Sequence, residues 1–253
     1  NVVRAGSGSL NVTTGGDVST GGDGIRLESG NGGDIAVTVN ADIETGNIGI
    51  NSVGSFNGLV GTSEFNLNAT VSGATTGVFL NNLYAGNTTV RLGANGRIVG
   101  QTEGGLVADL NRSGATFELS GATGTIAGAT FGADISTTNG AITVRDLTSI
   151  RGNSEDGIRA NSTGGAITIE NITAVSSEDG WAIDADTRLS ETRQNSSGND
   201  YTYFSGGGDI TIANVAIPAF DHDADPMTAD LVSRYGISAS SGTGDLTLNA
   251  IGD

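Results

Sequence analysis

Apolar residues return along this chain at intervals of 25 residues or a little more. The unit is an apolar-x-apolar pair followed, eight residues after its first member, by another apolar residue. Leu10/Val12/Val18, Ile35/Val37/Ile43, Val90/Leu92/Ile98, Ile142/Val144/Ile150 and Ile167/Ile169/Val175 fit it fully. Looser copies place the remaining first members at Phe65, Phe117, Ile210 and Leu246. A second ladder runs in phase with the first: Gly24-Ile25, Gly49-Ile50, Gly77-Val78, Gly105-Leu106, Gly157-Ile158, Gly180-Trp181 and Gly236-Ile237.

A period of two inside each unit means strands with one buried face. Glycine, Asn and Asp between them supply tight corners. Nothing at helical spacing separates consecutive strands, which closes the βαβ route to a parallel sheet. No regular two-residue hairpin signal joins them either, which disfavours a meander. A β-propeller blade needs about 40 residues and four hairpin-linked strands, more than this period holds. What remains is a β-solenoid, in which each coil stacks on the last and the ladder residues pile into apolar columns. The expectation is an all-β, right-handed parallel β-helix of about nine rungs over residues 1–253, with the handedness taken from the crossover rule. It forms a single domain.

Composition removes several functions. With 28 acidic residues against 11 basic ones, all of them Arg, the net charge is −17. Such a surface repels phosphate backbones and anionic lipid, so no nucleic acid and no direct membrane insertion are expected. Cysteine is absent, which suits a large extracellular bacterial protein held by its core. Catalytic templates fail as well. There is no Gly-x-Ser-x-Gly elbow, the single His leaves a Ser-His-Asp triad unsupported, and the glycines at 21–24 open no helix. The chain is expected not to be an enzyme.

Two long spacings near the C-terminal end mark insertions, assigned to 184–204 and 218–234. Loops on a rigid scaffold commonly carry binding. The first ends in Tyr201 and Tyr203, both binding candidates. The second carries a helix signal, with Asp225 as cap, Pro226 in first position, a Met227/Leu231/Tyr235 stripe and Gly236 as stop. It also holds "DHDAD", whose Asp221, Asp223 and Asp225 resemble the start of a calcium loop, although Pro226 stands where that loop requires glycine. Glu155-Asp156 and Glu178-Asp179 recur 23 residues apart, an interval that predicts equivalent corners, next to Trp181. Stacked, the four carboxylates would form an acidic ridge, a calcium bridge, or the paired acids of a polysaccharide-active enzyme.

The stretch "NVTTGGDVSTGGDGIRLESGNGGDIAVTVNADIETGNIGINSVGS" (11–55) resembles the passenger repeats of alphaproteobacterial autotransporters. The resemblance continues in "GGAITIENITAV", "GGGDITIANVAI" and "GTGDLTLNA". It implies a right-handed β-helical rod that is secreted or displayed on the bacterial surface. Adhesion or self-association would be its role, with another copy or a host or neighbouring cell-surface molecule as partner. It also implies a longer passenger, of which this is a segment, anchored at the outer membrane through a translocator barrel that these residues do not include. A polysaccharide-active β-helix enzyme and a structural stalk or filament subunit are the alternatives.

Overall fold

Alternation places every second ladder residue inward, and the chain closes those faces around one core. The computed structural model describes residues 2–5, 8–29, 33–54, 61–81, 86–194, 200–205, 207–218 and 235–252. Among these there is no helix; the strands stack in parallel as a β-solenoid. Each coil supplies up to three strands, hydrogen-bonded to their counterparts one coil before and one coil after.

The first face begins with Leu10–Thr14 and continues through Ile35–Val39, Ser63–Leu67, Thr88–Leu92 and Phe117–Ser120. The second face begins with Val18–Thr20 and runs through Ile43–Thr45, Thr70–Gly73, Arg97–Gly100 and Thr125–Gly128. In the next two coils these faces fuse into the 11-residue strands Ile142–Gly152 and Ile167–Ser177. The third face is a nine-stranded sheet from Val2–Ala5 to Tyr235–Ser240. A continuous apolar core runs from Leu10 to Val215.

About six turns, from Leu10 to Ile167, are free of insertions, fewer than the nine rungs expected. The two turns that follow each carry one. The first insertion is shorter at its start than 184–204, because Asp184, Ala185 and Asp186 end the third-face strand Trp181–Asp186. Beyond it, Leu189–Gln194 and Asp200–Ser205 form an antiparallel hairpin, the one antiparallel pairing among the described residues. The expected helix lies mostly outside the described residues, and its final turn is corrected: Tyr235 and Gly236 open the strand Tyr235–Ser240.

Register departs from the apolar pattern in two coils. Ile35 pairs with Ser63, Ser63 with Thr88, and Thr88 with Phe117. Phe65 and Val90 therefore continue the column of Val37, and the first column is filled by a Ser and a Thr that apolar matching overlooks. Both are 1% exposed, and neither hydroxyl has a hydrogen-bond partner among the described residues. An unmatched buried hydroxyl is a net cost. Thr88→Val, which keeps the shape and removes the orphan group, is expected to raise stability by about 1 kcal/mol. Thr88→Ser, which keeps the hydroxyl and opens a cavity, should lower it. The two urea midpoints, on opposite sides of the parent, are the check.

Candidate functional site

The acidic corner is built differently from the stacked quartet expected. Ile158 pairs with Ile183, so Gly157 meets Ala182 and Asp156 meets Trp181. The Trp181 N–H donates to Asp156 Oδ1 at 2.9 Å. Glu178 and Asp179 instead sit beneath Asn153, whose carbonyl accepts both of their N–H groups at 3.1 Å. The coil repeats at 25 residues while the word "SEDG" repeats at 23, so the two acidic pairs are offset by two positions. The two acidic pairs therefore do not share one coil position along the rod.

Two arginines pair with three of the four acids instead. Arg159 donates from Nη2 to Glu155 at 2.9 Å and from Nε to Asp156 at 3.1 Å. Its guanidinium lies 4.1 Å from the centre of the Phe131 ring, a cation–π contact. Arg151 pairs with Glu178. Glu155, Asp156 and Glu178 are thus engaged in ion pairs. Burial pushes the Asp134 carboxyl above its ordinary range, Arg159 pulls it back in part, and Asp156, Glu155 and Asp109 push it further. Burial also raises Asp184, against a hydrogen bond from Ser238. Asp134, Arg159 and Asp184 are cross-strand neighbours. Sequence reasoning missed this column, although its 25-residue spacing was there to be read.

At the other extreme of polarity is the strand Leu246–Gly252. It pairs on one side with Ile210–Ala216 and, among the described residues, on the other side with nothing. Its ladder residues Leu246, Leu248 and Ile251 stack on Ile210, Ile212 and Val215. The lower three are at most 1% exposed; the upper three are 49%, 51% and 38% exposed. The core columns therefore continue into this strand. The strand reads LTLNAIG and carries no charge or proline of the kind that protects an edge.

No family model matches the chain, nor does any curated protein or solved structure. Function has to be argued from the rod's own surfaces.

The remaining candidates divide between the hairpin and the second insertion. Tyr201 and Tyr203 occupy hairpin positions opposite Arg193 and Glu191. Asp221, Asp223 and Asp225 lie outside the described residues. Among the described residues, no three acidic or histidine side chains converge as a metal site. Trp181 is 39% exposed at the acidic corner, with Tyr235 as its cross-strand neighbour.

Proposed function

We propose that this chain is a bacterial surface-displayed or secreted rod of the autotransporter passenger kind, acting in adhesion or self-association. The observation that carries this reading is the regular parallel β-solenoid, a stack of coils whose outward faces, together with the antiparallel hairpin Leu189–Gln194/Asp200–Ser205, present surface for a partner. The acidic surface leaves protein as a better partner than nucleic acid or anionic lipid.

Sedimentation velocity over a wide concentration range tests this. The parent chain is expected to grow with concentration, while a variant in which a short Gly-Ser turn replaces the hairpin 189–205 stays monomeric. A parent that remains a monomer throughout, or a variant that associates equally well, overturns association through the hairpin. Growth that requires millimolar calcium would place a cation in the contact and turn attention to Asp221, Asp223 and Asp225.

A further inference from the structure

A groove runs along the rod beside the second face. Its floor is the outward column that precedes the second-face ladder: Asp17, Asp42, Thr70, Arg97, Thr125 and Ser149, one residue per coil. Six coils at about 4.8 Å per step make it about 24 Å long, and it encloses about 850 Å³. Asn40, Asn68 and Asn95 line its corner side, with only small residues such as Ala69 and Gly96 between them. Among the described residues, no aromatic lines it.

Three properties define what fits. The length and one-per-coil spacing of its polar groups match an extended polymer rather than a compact metabolite. An extended glycan advances by about one rung per sugar. Next, each floor position offers a hydroxyl, carboxylate or guanidinium, and the Asn68 amide spends one donor on Asn40 Oδ1 at 2.9 Å, which leaves donors on Asn40 and an acceptor on Asn68. Arg97 is exposed and has no carboxylate partner among the described residues, whereas Arg26, Arg91, Arg145, Arg151, Arg159 and Arg188 each have one. Its fork of donors is therefore available in the middle of the groove. Finally, Asp17 and Asp42 at one end, in a chain of net charge −17, repel a polyanion. Without an aromatic platform for stacking, the affinity must come from many hydrogen bonds along the length.

We propose that this groove binds an uncharged glycan in extended form, with Arg97 donating to sugar hydroxyls at its centre. The probes are neutral β-linked and α-linked hexaoses (cello-, xylo-, manno- and malto-), their shorter homologues, and an oligogalacturonate as the charged counterpart, titrated calorimetrically. At least one neutral hexaose should bind in the millimolar range or tighter, with affinity rising from disaccharide to hexaose. Arg97→Ala should weaken it about tenfold, equivalent to about 1.4 kcal/mol, and Thr70→Trp, which fills the floor from outside the core, should abolish it. Arg112→Ala, away from the groove, should change nothing, and unaltered melting curves show that each variant is folded. Failure of every neutral hexaose, affinity independent of Arg97 and Thr70, or tighter binding of the oligogalacturonate than of all neutral probes would each overturn the proposal. Monomeric protein suffices, so the result is independent of self-association.

Discussion

Gly105→Ala is expected to cost about 3 kcal/mol, which at this size lowers Tm by about 6–12 °C, although it adds a single methyl group. Gly24, Gly49, Gly77, Gly105, Gly132 and Gly157 form a column at the entrance to the third face. At each step the residue after a glycine donates its N–H to the carbonyl of the glycine one coil on, as Leu106 does to Gly132 at 3.0 Å. A Cβ on Gly105 would lie 2.6 Å from Ile126 Cγ2 and 2.8 Å from both the Ala127 and Gly132 carbonyl oxygens. A side chain could swing away. Two backbone carbonyls fixed in ladders cannot, so the coils must separate where their hydrogen bonds are made.

The position of the substitution along the rod matters as much as its chemistry. A solenoid's stability is approximately a sum over coils and the interfaces between neighbours. Gly105 lies in the middle of the stack, so displacing its coil weakens the interfaces on both sides. Gly24→Ala meets a comparable clash, 2.6 Å from the Gly49 carbonyl oxygen, but in the first complete coil. Its effect should be fraying from one end. Gly15→Ala has nothing within 4 Å and should be close to neutral. Hydrogen exchange should lose protection around residues 97–137 in the Gly105 variant and only before about residue 30 in the Gly24 variant. A Gly105 variant with the parent's midpoint would mean that the close approach is relieved by a small shift and does not set the coil spacing.

Architecture was legible from the chain because buried and exposed positions alternate so regularly that two ladders stay in phase. Legibility failed wherever an inward position was not apolar, or a corner word recurred out of register. Ser63 and Thr88 hid a two-residue shift. Ala133 hid a rung of the third face, since it pairs with Leu106 and Ile158 without looking like a core residue. Gly180-Trp181 imitated the glycine ladder, but the true continuation is Ala182-Ile183, and this error also produced the stacked acidic quartet. The column of Asp134, Arg159 and Asp184 could have been found by reading polar residues at the coil period.

Asn171→Val should cost about 3 kcal/mol, while Asn171→Gly should cost about 1 kcal/mol. Asp146, Asn171 and Asn214 stack at the bend between the first two faces, with φ of 58°, 54° and 52°. Left-handed backbone is tolerated by Asn and Asp and is disfavoured for a β-branched residue. It takes the place of the separate connections that earlier coils use, such as 93–96 and 121–124. The side chains also join up: Asn171 Nδ2 donates to Asp146 Oδ1 at 3.1 Å, and Asn214 Nδ2 donates to Asn171 Oδ1 at 3.0 Å. These bonds are exposed, so each contributes near the low end of the usual 0.5–1.5 kcal/mol. Glycine keeps the backbone conformation and loses the two bonds; valine loses both bonds and must also hold a strained φ. The difference between the two variants in urea unfolding therefore isolates the backbone cost. If Val is no worse than Gly, the bend can relax out of the left-handed region and the amide ladder alone holds this corner. If both are as severe as 3 kcal/mol, the side-chain ladder is worth several times its exposed value and the corner is stiffened along the rod.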